Sequence, residues 1–334
     1  MHLDLDIVFS PLLTAGIFVI LAISLNLING FTGMFSLGHA AFFGIGAYAA
    51  AVYMNLFSPP LYSAAYWAHF GAGTALAALA AGASGFLVGV PCLRLAGDYL
   101  AIATLAFAEI FKILLDSFMP EVFGGPKGLR LNVDKMDSHW AFCAAVGMIL
   151  AVTVFARNLK RSAAGRAFFA IRENEIAARV MGMNVAYLKV QAFVIGSSIA
   201  GMAGALFAYS NYLIAPSNFD LMMTIMILLM IVLGGLGSIS GSIVGALVLA
   251  LVDPMVRYVP EFAGRITANE TLLRILQAFK ENPELIYAFL LVLLIRLRPQ
   301  GIFGMHEWGY YLGTRKRSRE QTLADGVGIP KGPD

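Results

Sequence analysis

Apolar runs of about 20 residues dominate this chain, and a run of that length wound as a helix spans the ~30 Å hydrocarbon core of a bilayer. Such runs recur along most of the 334 residues and leave no stretch long enough for a separate soluble core. Composition agrees: 59% of residues are hydrophobic and 13% charged, against about 45–50% and about 25% in soluble globular chains. The implied fold class is all-α, a polytopic helical membrane protein. A secreted enzyme, a soluble nucleotide-binding domain and a disordered tail protein are excluded. The ten-residue alternation of an outer-membrane barrel is absent.

Nine spans are expected, at roughly 7–28, 34–54, 71–91, 98–118, 139–156, 190–210, 219–235, 241–258 and 284–298. The Lys/Arg bias of the short loops orients them. Residues 157–189 carry Arg157, Lys160, Arg161, Arg166, Arg172, Arg179 and Lys189 against Glu173 and Glu175, which makes this loop cytoplasmic. The chain end carries Arg296, Arg298, Arg315, Lys316, Arg317 and Arg319, cytoplasmic by the same rule. Four spans separate the two regions, so they share a side, and counting back puts the N-terminus outside. Met1 to Asp6 holds no Lys or Arg, so a cleaved signal peptide is not expected and the segment from Ile7 reads as a retained span. The net charge of +3 is too small to point to nucleic acid, and Cys92 and Cys143 have no partner spacing for a metal cluster or disulfide framework.

Residues 1–304 are read as one transmembrane domain and 305–334 as a polar, disordered cytoplasmic tail. Residues 259–283 read as an outer amphipathic helix, with Leu272, Ile275, Leu276 and Phe279 on one face and Thr267 and Glu270 placed as a capping box. Small residues four apart, as in Gly71/Ala75, Gly85/Gly89, Gly196/Ala200/Gly204 and Gly241/Gly245, suit close helix packing. Gly-Gly-Leu-Gly-Ser-Ile-Ser-Gly at 234–241 breaks a helix at the cytoplasmic side, and Gly33-Met-Phe-Ser-Leu-Gly38-His39 is its counterpart early in the chain. Paired interruptions in two halves are a feature of transporter folds.

No hydrolytic motif is present: GxxxxGK[ST], GxSxG, HExxH and Cys-x-x-Cys are all missing, and the five histidines lack ligand spacing. Transport or assembly remains. Glu109, eleven residues into its span and so about 16 Å deep, belongs in the bundle interior or in water. It reads either as lining of a path or as a structural partner of Lys112 one turn on. His39, near the inner end of its span, reads as a helix-contact hydrogen-bonder or a ligand. Asp220 reads as a carboxylate at a helix N-terminus. The loop stretch Arg172-Glu-Asn-Glu-Ile-Ala-Ala-Arg-Val-Met-Gly-Met-Asn184 contains Glu-x-Ala-Ala-x-x-x-Gly, with Gly182 ending a short helix. A short helix on a basic cytoplasmic loop suits docking of a soluble motor; a solvated loop explains the cations but not the pattern.

Several of these motifs, in this order, resemble the LivM-type membrane subunit of branched-chain amino acid ABC importers. The carriers are Gly33 to Tyr48, Gly97-Asp-Tyr-Leu-Ala-Ile-Ala-Thr-Leu-Ala-Phe-Ala-Glu-Ile110, Phe123-Gly-Gly-Pro-Lys-Gly128, Ala200-Gly-Met-Ala-Gly-Ala-Leu-Phe207, Val232 to Ile239 and Arg298-Pro-Gln-Gly-Ile-Phe-Gly304. The outer loop departs from the more usual Thr-Gly-Gly-Pro-Asn-Gly, and Ala106 and Ala108 stand where glycines are common. The resemblance implies an import permease of the bacterial inner membrane with no catalytic site and no cofactor of its own. ATP and magnesium would be used by two cytoplasmic ATPase subunits. A second, related permease would complete the pore, and an extracytoplasmic binding protein would deliver an aliphatic amino acid. It further implies that Glu175, Ala177, Ala178 and Gly182 engage the ATPase and that Ser36, His39, Thr104 and Glu109 are polar groups of the path. A relative carrying urea, short amides or organic acids would look nearly the same. A stand-alone secondary transporter and a purely structural subunit are the readings from other classes.

Overall fold

A computed structural model describes residues 2–57, 60, 63–92, 97–118, 120–132, 136–266, 289, 292, 296 and 301–304. Its helices are α1 (His2–Asn26), continued by a π-helical segment Leu27–Phe31, α2 (His39–Phe57), α3 (Ala64–Cys92), α4 (Asp98–Ser117) and the single turn α5 (Pro120–Phe123). There follow α6 (Ser138–Arg161), α7 (Ala163–Glu173), α8 (Glu175–Val180), α9 (Val185–Ser210), α10 (Leu221–Gly234) and α11 (Ile239–Ile266). Two-residue strands β1 (Leu129–Arg130) and β2 (Leu213–Ile214) pair antiparallel. The architecture is an all-α membrane bundle. Six helical stretches are long and apolar enough to cross a bilayer: Phe9–Phe31, His39–Phe57, Ala65–Pro91, Ser138–Arg161, Val185–Ser210 and Pro216–Gly234.

Two further helices occupy expected spans with a different chemistry. α4 has the length but carries Asp98, Glu109, Lys112 and Asp116. α11 is apolar over Ile239–Val252 and then continues through Asp253 to Ile266. Residues 259–266 of the expected outer helix belong to α11; residues 267–283 with the expected Thr267 and Glu270 capping box, the ninth span apart from 289, 292 and 296, and the 305–334 tail lie outside the described residues.

α9 is the packing centre, with α2 and α3 against it and α1 alongside. Gly196, Gly201 and Gly204 allow this. A Cβ on Gly201 would reach 2.5 Å from the Ala77 carbonyl oxygen, and one on Gly196 would reach 2.6 Å from Ile28. Of the expected small-residue pairs, Gly241 and Gly245 also sit at close backbone approaches and Gly85 lies against the Ser197 side chain, whereas Gly71 has no described atom within 4 Å. Local caps behave as their residue types dictate: Asp220 accepts from the Met223 amide and starts α10, and Asn184 accepts from Tyr187 and starts α9.

The bundle has two distinct ends. At one, β1–β2 joins the 119–138 and 211–219 connections, Asn55 bonds both Arg130 and Asn132, and the Tyr48 hydroxyl donates to the Ile214 carbonyl. At the other, the basic 157–189 loop meets both glycine-rich breaks. This is the alternation that successive spans must produce.

Candidate functional site

The first break begins when α1 widens into a π-helix, a form found mostly as single-turn bulges and often at functional sites. After Phe31 the chain does not start a new helix at the bundle end. It runs non-helically through 33–38 back between α1, α4 and α10, and α2 begins at His39, well inside. The contacts fix the depth. The His39 Nε2 lies 3.0 Å from Ser24 Oγ, and Ser24 donates to the Gly196 carbonyl at 2.6 Å. Ser24 is seven residues before Phe31, about 10 Å of helix. His39 thus sits deeper than the inner-end position expected for it. Non-helical backbone at such depth is tolerated only where protein or a polar cavity surrounds it. Here Thr104 accepts from the Leu37 amide, Asn29 from Ser36 and Thr224 from Ala40.

Ser36, His39 and Thr104 are all fully buried, and the Leu37–Thr104 bond brings them to one region. Because Ser24 spends its proton on Gly196, the His39 Nε2 must carry the hydrogen of that pair. This leaves Nδ1 as a bare acceptor. Among the described residues it has no partner, and neither do the Ser36 hydroxyl or the Asn29 amide nitrogen. Three unpartnered polar atoms on one eleven-residue break are unusual, since buried polar groups are nearly always bonded. Glu109 is not with them. It lies five positions beyond Thr104, about 140° around α4, on an exposed face with Tyr99, Ile102, Ile110 and Ile113. Lys112, its suggested partner, is half-buried one turn on.

The second break, Gly235 to Ser238, separates α10 from α11 and meets the first directly. The Asn26 side chain accepts from the Gly237 amide at 2.8 Å and donates to the Ser238 carbonyl at 3.0 Å. A Cβ on Gly30 would stand 2.6 Å from the Gly237 nitrogen, so this approach requires glycine. Residues 301–304 dock onto the same place, with the Ile302 and Phe303 amides donating to Leu233 and Gly234. Arg172 reaches in from the basic loop. Its guanidinium donates to Gly30 at 2.5 Å and to Leu236 at 3.4 Å. Lys160 donates to Gly237 at 2.9 Å and lies over the Phe31 and Phe169 rings.

The basic loop is folded. Ser162 caps α7 by accepting from Gly165, Asn174 caps α8 by accepting from Ala177, and Gly182 closes α8 at φ +83°. Glu175 binds Lys189 at 2.7 Å and Arg179 at 2.9 Å, which ties α8 to α9. Ala178 points inward, packed with Ile171 and Val185. Ala177 and Gly182 are exposed. So are Ile176, Val180 and Met181, each at least 75% exposed, which makes α8 apolar on its outer side. Sequence reasoning passed over those three. It also missed Ser24, Asn26 and Asn29, whose signal was there to see: three polar residues close together at the end of an apolar run.

Residues 7–297 match the family described as "Branched-chain amino acid transport system / permease component". The chain belongs to this family. It is 33% identical over 321 residues to the "High-affinity branched-chain amino acid transport system permease protein LivM" of Salmonella typhimurium and to that of Escherichia coli, covering 86% of this chain and 68% of each relative. It is 28% identical over 275 residues to a "Probable branched-chain amino acid transport permease protein LivM" of Methanocaldococcus jannaschii, covering 71% of this chain and 77% of that protein. No solved structure matches. The chain is therefore a permease of the branched-chain amino acid ABC importer type, and it is a multi-pass membrane protein.

Proposed function

We propose that this permease forms half of an importer pore for aliphatic amino acids, with a second, related permease as the other half. Two cytoplasmic ATPases use ATP and magnesium, and a binding protein delivers cargo from outside. The chain itself catalyses no reaction and binds no cofactor. The observation that carries the reading is α8: a short capped helix held by the Glu175–Lys189 ion pair, presenting Ile176, Val180 and Met181 outward. Large apolar side chains on a charged loop favour a protein partner over water. In this reading Ala177 and Gly182 border the contact, and Glu175 and Ala178 hold α8 in position for it.

For the path, the α2 N-terminus inside the bundle supports a polar passage near Ser36, His39 and Thr104. A zwitterion needs a donor for its carboxylate and an acceptor for its ammonium. The unpartnered Ser36 hydroxyl and His39 Nδ1 are of those two kinds. Glu109, on the outer face of α4, contributes from the side that meets the second permease. Opening the break exposes these groups by rocking of the helices.

The test is purification of the chain from its own membrane with identification of what accompanies it, followed by leucine uptake in vesicles. A second permease and ATPase subunits should co-purify. Ser36→Ala and His39→Ala should each reduce uptake severalfold at unchanged assembly. A chain recovered alone under gentle conditions, or variants that transport normally, would refute the respective half of the proposal.

A further inference from the structure

The two breaks and the ATPase-facing helix are separate in sequence, yet one side chain connects them. Arg172 is in the last turn of α7, two residues before the Asn174 cap that starts α8. From there its guanidinium bonds carbonyls in both breaks, Gly30 in the π-segment and Leu236 after α10. Helix ends and π-segments leave backbone carbonyls unpaired, and a planar guanidinium is suited to bridge two of them at once. The fit is close. Gly33 lies against the Arg172 Cγ, and a Cβ on Gly237 would sit 2.6 Å from its Nη1. Lys160 repeats the arrangement from the end of α6, holding the Gly237 carbonyl while its charge lies 5.8 and 5.6 Å from the Phe31 and Phe169 ring centroids.

α7, α8 and the start of α9 are themselves fastened to one another. Ile171, Ala178 and Val185 form a small core of their own, separate from that of the bundle, and Glu175 bonds Lys189 across it. A push on α8 therefore displaces the last turn of α7 with it, and Arg172 is where that motion meets the membrane helices.

We propose that Arg172, assisted by Lys160, is the latch that couples movement of the loop to opening of the paired breaks. Resting on the importer reading above, this assigns Arg172 a positioning role: it touches neither cargo nor ATPase but fixes the backbone that must separate for passage. Asn26, which bridges the breaks without the loop, keeps them registered. The Arg172 and Lys160 bonds are the ones a moving loop would break first.

The experiment uses the assembled importer in vesicles and reads leucine taken up per ATP hydrolysed. Arg172→Gln should lower that ratio at least tenfold, with ATPase subunits still co-purifying and hydrolysis continuing. Arg172→Lys keeps the charge without the planar fork. It should fall between the two, and it carries the same comparison if the Arg172→Gln chain does not fold into the membrane. Arg166→Gln is the control: Arg166 is in the same loop and exposed, its guanidinium bonds the Arg161 carbonyl beside it, and its ratio should stay at the wild-type value. A wild-type ratio in Arg172→Gln and Arg172→Lys would overturn the latch alone. So would loss of the ATPase subunits from either, which would make Arg172 a docking residue. Leucine uptake by the unaltered complex without ATP would instead overturn the importer reading and the latch with it.

Discussion

At the scale of single residues, the ion pair of Glu175 with Lys189 is the most exposed to test. Lys189 is only 9% exposed, so removing its partner leaves a nearly buried ammonium. Hydrogen bonds to charged groups contribute about 1.5–3 kcal/mol; with Glu175 itself partly in water, a loss near the lower end is expected for Glu175→Gln. Equilibrium unfolding in detergent measures it, and the exchange Glu175→Lys with Lys189→Glu should recover part of the loss. Two glycines give an opposed pair of expectations. Gly237→Ala, at φ +90° and against Arg172, should cost about 1–2 kcal/mol from the left-handed backbone alone. Gly71→Ala, in a helix with open space around it, should be neutral or stabilising by up to about 1 kcal/mol. At this scale the sequence was legible where a residue acts on its own neighbours. Asp220 and Gly182 do what cap residues do. Ser24, Asn26 and Arg172 act on chain segments over a hundred residues away, and nothing in local spacing reveals that.

Among the elements, α8 makes the sharpest prediction. Ile176 and Val180 are four positions apart, on one face, and largely exposed. Changing both to Asp should leave the chain's own unfolding transition in place while the ATPase subunits no longer co-purify. Parallel loss of fold and partner would contradict a docking role, since side chains in solvent hold no core together. The elements show why hydropathy located the helices but not their depth. An apolar run marks α1 and α2, and glycines mark the gap between them. That the gap turns back about 10 Å into the bundle depends on Thr104 and Thr224 from α4 and α10 bonding its amides. α7 was hidden for another reason: its charged surface reads as a plain basic loop, and only the Ser162 cap signals a helix.

Over the whole molecule, the bundle has one end closed by a small β-pair and another where two glycine-rich breaks, residues 301–304 and the basic loop converge. The polar groups that look available to cargo lie between these ends, and the apolar helix that looks available to a motor lies beyond the second. That ordering is what a pore opened from one side by a soluble partner needs, and it is why Glu109, facing away from Ser36 and His39, fits a path shared with a neighbouring subunit. The most direct measurement is leucine uptake by vesicles containing the chain with its co-purified subunits, with ATP supplied or withheld on the ATPase side and ion gradients collapsed. Uptake that requires both ATP and the binding protein, and survives collapse of the gradients, is the predicted result. Uptake that follows an ion gradient and ignores ATP would contradict the account.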